Sequence, residues 1–120
     1  MIIRDDPVEA ARHVPDESID FIYLDHRHDY CSVSKYLKAY WPKLSRGGIF
    51  AGHDFLDNKN SLMGESKQDW GTCPDGTKHD GAVKGAVEDF VKAHSDSAGR
   101  INLTRDGWPS FYFRKFESSI

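Results

Sequence analysis

Apolar residues along this chain gather into runs of two different periods, separated by polar punctuation. It opens on a short apolar run, MII, followed by RDDPVEAARHV. There Asp6, Pro7 and Glu9 supply an N-cap acceptor, a proline at the first helical position and a carboxylate three residues on, which together predict a helix start. The run IDFIYL is continuous, apolar and rich in aromatic and branched residues, the make-up of a buried parallel strand. Val33, Tyr36, Leu37, Tyr40, Trp41 and Leu44 then recur at spacings of three and four, one face of an amphipathic helix. Pro42 inside that pattern is expected to kink or loosen the last turn, and Gly47-Gly48 to end the helix before a short strand, GGIFAG.

From Phe55 to Asp80 the chain is polar and has no sustained period, which marks a long functional loop inserted at 55–80. Val83, Ala86, Val87, Phe90 and Val91 predict a further helix ending near His94. INLT and SFYFRKF are two strands around the turn-forming RDGWP. The order is strand, helix, strand, helix, strand, loop, helix, strand, strand. Such alternation argues for an α/β fold with a mostly parallel sheet, closed at one edge by an antiparallel C-terminal hairpin. Ligands of open sheets in this class bind beyond the carboxyl ends of the strands. Three polar clusters fall there: Asp5-Asp6, Asp25 to Asp29, and His53-Asp54.

Composition narrows the classes. A chain of 120 residues, 38% hydrophobic and 29% charged, suits a single globular domain over 1–120. The net charge of −3 gives no basic footprint for nucleic acid. No apolar run reaches the length of a membrane span, and the first residues lack the apolar core of a signal peptide. Cys31 and Cys73 fit no zinc spacing and no disulfide framework, so they read as free thiols in a reducing, cytoplasmic setting.

The clusters could carry chemistry. Carboxylates at Asp25 and Asp54 suit magnesium, calcium or manganese, and the imidazole of His53 admits zinc or iron as well. Neighbouring strands would bring their ends about 5 Å apart, close enough to share one ion. Against this, Asp25 could cap the following helix while His53 and Asp54 stay solvated. His28, three residues after Asp25, has the imidazole chemistry for proton transfer at neutral pH, or it could pair with Asp29 in the turn. His26 has the same ambiguity. Asp80 suits an N-cap, Glu65, Asp69, Cys73 and His79 match no ligand pattern, and Trp70 and Trp108 suit substrate packing or a core role.

The segment SIDFIYLDHRHDYCSVSKYLKAYWPKLSRGGIFAGHDF, with GAVKGAVEDF after it, resembles the class I S-adenosylmethionine-dependent methyltransferases. The branch it resembles holds metal-dependent O-methyltransferases of sugars and small molecules, the macrocin type included. The resemblance runs from Ile2 to about Phe116 and is most specific in IDFIYLDHRHDY and GGIFAGHDF. It implies a Rossmann-like sheet, metal carboxylates at Asp25 and Asp54 and a third metal position at His53, where the family usually has an acid. It further implies a general base at His28 and an adenine-facing acid at Asp6. The implied cofactors are S-adenosylmethionine and Mg2+ or another divalent metal, and the implied reaction is methyl transfer to a small-molecule hydroxyl.

The family sheet has strand order 3-2-1-4-5-7-6, and the strands here correspond to its third through seventh. No Gly-x-Gly turn follows an apolar strand, so the part that cradles the cofactor's amino acid end has no counterpart and the domain reads as incomplete. The strand at Ile19 to Leu24 is then expected to have an open edge. Three outcomes follow: the first strand pairs directly with it, another chain pairs with it as a homo-oligomer or missing N-terminal half, or the chain is a piece of a longer protein. Two other functions stay open: a non-catalytic relic or assembly module, and a metal-dependent hydrolase or oxygenase using the same ligands.

Overall fold

The computed structural model describes residues 2–3, 7–25, 27–59, 69–105 and 109–116. Its strands are β1 (Ile2–Ile3), β2 (Ile19–Leu24), β3 (Leu44–Gly52), β4 (Asn102–Leu103) and β5 (Phe111–Arg114). The helices are α1 (Pro7–Ala11), α2 (Tyr30–Tyr40) and α3 (Ala82–Ala93), with a 3-10 turn at Trp41–Lys43. The sheet runs β1-β2-β3-β5-β4. β1, β2 and β3 are parallel, while β5 is antiparallel to both β3 and β4. Only β5 is therefore reversed, and the C-terminal hairpin closes one edge as its sequence predicts. At the other edge β1 pairs directly with β2, Ile2 opposite Tyr23 and Ile3 opposite Leu24. That is the first of the three outcomes, and it covers the last two residues of β2.

The core lies on one face of this sheet. Ile22, Leu24, Phe50, Phe111 and Phe113 point into it, and Val33, Leu37 and Tyr40 of α2 meet Val83, Val87 and Phe90 of α3 above them. Stacking of Phe50 on Phe113, with ring centroids 5.8 Å apart, ties β3 to its antiparallel neighbour. On the opposite face, among the described residues, Phe21 is 47% and Tyr112 44% exposed. IDFIYL is thus a half-buried strand and not the wholly buried one its composition suggests. A continuous apolar run hides an alternation whenever large residues occupy both faces. No helix among the described residues is long and apolar enough to cross a membrane.

Four local expectations change. α2 stops at Tyr40, because Pro42 has no N–H and its ring crowds the carbonyl four residues back. The chain tightens into the 3-10 turn, and Leu44 belongs to β3 instead of the helical stripe. Lys115 holds that turn, its Nζ donating to the carbonyls of Trp41 and Leu44 at 2.8 Å each. Burial there pushes the Lys115 ammonium below its ordinary value, with the charges of Glu17 and Asp16 opposing that fall.

Gly47-Gly48 sits within β3 and forms a bulge: β2 pairs Ile19 with Leu44 and then Phe21 with Ile49. Gly47 has φ +82°, and a Cβ on Gly48 would meet Leu44 Cδ1 and Ser45 O at 2.8 Å. Only glycine tolerates both constraints.

Asp80 does not cap α3, whose N-cap is Gly81 with no side-chain cap bond. Its carbonyl instead accepts from Asn58 N at 2.8 Å. Finally, Cys31 and Cys73 are disulfide-bonded, with Cα atoms 5.7 Å apart. Two cysteines 42 residues apart match no spacing rule because loop contacts alone bring them together. The bond removes the ground for reading them as free thiols of a reducing compartment.

The core makes a direct prediction. Phe50 is wholly buried, so Phe50→Ala should cost about 3–5 kcal/mol in urea unfolding. Val8→Ala, on an exposed turn of α1, should stay within about 0.5 kcal/mol of wild type.

Candidate active site at the ends of β2 and β3

The site begins with strand register. Leu24 pairs with Gly52 in the parallel ladder, so Asp25 and His53-Asp54 leave the sheet side by side. Gly52 is needed there, since a Cβ would strike the Phe111 ring at 2.7 Å. His53 faces a carboxylate with each ring nitrogen: Nε2 lies 2.6 Å from Asp25 Oδ1 and Nδ1 2.6 Å from Asp54 Oδ2. His28 Nε2 lies 2.9 Å from the same Asp54 oxygen. Asp25, His28, His53 and Asp54 thus form one continuous network of two imidazoles and two carboxylates. Asp6 and His26 lie outside the described residues, as do Glu65 and Trp108.

Asp54 reaches its place through an unusual backbone, with φ +60°. Aspartate visits that region more readily than most residues, though at some cost. The cost is met by its neighbour: Phe55 is buried against Phe111 and donates its N–H to Pro109 O at 2.8 Å. The Asp54 carboxylate is thereby aimed back over the sheet end.

α2 positions the other half. Asp29, not Asp25, is its N-cap, accepting from Ser32 N at 2.9 Å. His28 pairs with Asp54, leaving Asp29 to Arg27, whose Nε donates to it at 2.8 Å. Burial works to raise the Asp29 carboxyl, but the bonds from Arg27 and from Ser32 outweigh it and hold the group below the usual carboxylate range. Tyr30 begins the helix, its hydroxyl donating to Asp89 at 2.6 Å and its ring stacked on His79 at 3.6 Å. Asp69, Cys73 and His79, described loop residues of ligand type, are engaged elsewhere. Asp69 accepts from Gly71 N and Thr72 Oγ1, Cys73 is in the disulfide, and His79 lies on Tyr30.

The donor set suits a cation. Oxygen and nitrogen atoms of His28, His53 and Asp54 lie within 4.8 Å of one another. A neutral imidazole carries one N–H, so two carboxylates on His53 are reconciled by a second ring proton or by a cation shared among them. Beside this network a cleft of about 430 Å³ opens between Arg27, His28, Asp69, Trp70 and Thr72. Trp70 came from the sequence only as a residue for substrate packing or the core. Its ring in fact stacks on His28, centroids 4.4 Å apart and planes within 12°. Arg27 pairs locally with Asp29, and Asn58 had no signal because its partners, Trp70 and Asp80, are distant in sequence.

A family model described as a methyltransferase domain matches residues 1–55. No curated protein matches the chain. Among solved structures, a protein from Corynebacterium glutamicum is similar at 14% identity and TM-score 0.59, over 93% of this chain and 45% of its own. An O-methyltransferase from Bacillus cereus, in complex with SAH, is 17% identical with TM-score 0.55, over 93% and 46%. A possible exported protein from Bordetella parapertussis is 16% identical with TM-score 0.52, over 90% and 42%. The chain therefore spans less than half the length of these structures. The likeness is one of fold, and the fold is part of the class I S-adenosylmethionine-dependent methyltransferase fold. The chain's sheet order is β1-β2-β3-β5-β4, with β1 set directly against β2.

The Asp29 cap has a pH signature. A carboxyl held low in the folded state contributes stability above its unfolded value, near 3.9, and loses it as pH falls through the folded value. Asp29→Asn keeps a cap acceptor but removes the charge. It should be less stable than wild type by about 1–2 kcal/mol at neutral pH, the half-exposed Arg27 limiting the effect. The gap between their urea midpoints should begin to narrow as pH falls below about 4 and close once pH has passed below the lowered folded value.

Proposed function

We propose that this chain carries the metal and general-base part of an S-adenosylmethionine-dependent O-methyltransferase acting on a small-molecule or sugar hydroxyl. The observation that carries this reading is the four-residue network at the ends of β2 and β3, on a methyltransferase fold. Asp25, His53 and Asp54 would hold a divalent cation, Mg2+ or a similar ion, at the strand ends. Such a cation, when bound, polarises an acceptor hydroxyl and makes its proton easier to remove. His28 is partly exposed beside the cleft and would take that proton at Nδ1, the ring nitrogen that does not face Asp54. Asp54, 2.9 Å from Nε2, would accept the N–H there, orient the ring and stabilise the imidazolium that forms.

For the methyl donor the support is of another kind. The B. cereus relative is in complex with SAH, and the matched family model is a methyltransferase domain. Asp6, which the resemblance sets toward the adenine, lies outside the described residues. A second reading has its own observation: His28, His53 and Asp54 together make a two-histidine, one-carboxylate set, a combination used by non-haem iron oxygenases.

Isothermal titration separates these readings. Under the first, Mg2+ or Mn2+ binds the chain, and Asp25→Ala lowers the affinity by more than about 100-fold, beyond the loss typical of outer-shell partners. S-adenosylmethionine should then bind in the presence of the cation. Anaerobic Fe2+ binding in strong preference to Mg2+ would favour the oxygenase reading, and unchanged affinity in Asp25→Ala would remove that residue from the site.

A further inference from the structure

The loop residues just before α3 do more than wall the cleft. Trp70 is buried, 4% exposed, although it lies in an otherwise polar segment. Its indole covers one face of the His28 ring at 4.4 Å, while the His53 ring meets His28 edge-on at 5.7 Å and 87°. A histidine bonded through one nitrogen can still rotate about that bond. Two aromatic neighbours at right angles remove that freedom.

Trp70 is itself tied down from three sides. Its N–H donates to Asn58 Oδ1 at 2.9 Å. The turn beyond it closes on itself through a Thr72–Lys78 antiparallel bridge. The disulfide from Cys73 then fastens that turn to Cys31, in the first turn of α2 and three residues after His28. The same covalent link thus joins the segment bearing the indole to the segment bearing the imidazole.

We propose that Trp70 is a positioning residue for His28, holding the imidazole plane so that Nε2 addresses Asp54, and that the Cys31–Cys73 bond keeps the indole in place. This deepens the reading of His28 as proton acceptor and rests on it for its catalytic meaning. A base held in one orientation loses no time or entropy finding it. The geometry itself can be tested without turnover.

The experiment compares Trp70→Phe, Trp70→Leu and the double variant Cys31→Ser/Cys73→Ser. Acylation of His28 by diethyl pyrocarbonate, followed by peptide mass spectrometry at fixed pH, reads how well the ring is covered. The ring-proton chemical shifts of His28, assigned with His28→Gln, read whether an aromatic face still lies over it. Trp70→Phe should stay near wild type. Trp70→Leu, with an unfolding midpoint close to that of Trp70→Phe, should react up to about tenfold faster and lose the ring-current shift. The double serine variant should move the same way, with circular dichroism showing the fold retained.

Equal behaviour of Trp70→Phe and Trp70→Leu would reduce Trp70 to apolar packing and overturn the proposal. An unchanged His28 signal in the double serine variant would overturn the role of the disulfide. If Trp70→Leu does not fold, the wild type, Trp70→Phe and the serine pair still decide the matter through the chemical shift. Failure to bind S-adenosylmethionine or transfer methyl would count against the proposed function, and none of these readouts depends on it.

Discussion

Everything at this site depends on the parallel register between β2 and β3. Pairing Leu24 with Gly52 makes Asp25 and His53 neighbours, and a slip of one residue would send their side chains to opposite faces. Two glycine features hold the register. The Gly47-Gly48 bulge absorbs the unequal lengths of the paired segments, and Gly52 admits the Phe111 ring from β5. Hydrophobic burial then makes the register costly to change, because Ile22, Leu24 and Phe50 would leave the core with it.

A second constraint comes from α2. The helix packs Val33, Leu37 and Tyr40 into the core, and its start is set by the buried Asp29 cap. Between Leu24 at the end of β2 and Asp29 lie four residues, two of which, Asp25 and His28, reach the same network. The short connection is what lets a strand end and a helix start act on one point in space. Loop 69–80 completes the arrangement from outside the sheet, bound to α2 by the disulfide and to Asn58 by the Trp70 N–H. In a chain-entropy picture a cross-link of this span stabilises the fold by about 4 kcal/mol, so this polar segment is held covalently and without a large apolar core of its own.

The described residues place this chemistry on a sheet whose two faces are unequally covered. α2 and α3 lie over the core, while Phe21 and Tyr112 remain exposed opposite them. Doubly wound sheets ordinarily carry helices on both faces, and the solved relatives are more than twice as long as the aligned part. The direct pairing of β1 with β2 gives the sheet an edge strand of two residues.

By itself the sequence determined the order of elements and the hairpin at the C-terminal edge, and it offered as candidates the four residues that meet at the strand ends. Those follow from local periodicity and from the rule that polar residues after parallel strands collect at one edge. It misled where one residue type serves two ends. Leu44 fitted a helical stripe but belongs to a strand, and Gly47-Gly48 reads alike as a helix stop or a bulge. Asp80 was read as a cap but binds Asn58 instead. Only the tertiary structure decided which carboxylate caps α2, that Cys31 meets Cys73, and that Trp70 lies on His28. The cap is local, but Asp25 leaves it to Asp29 by facing His53 across the strand ends. The other two are contacts between segments far apart in the chain, made by a loop whose sequence has no period of its own.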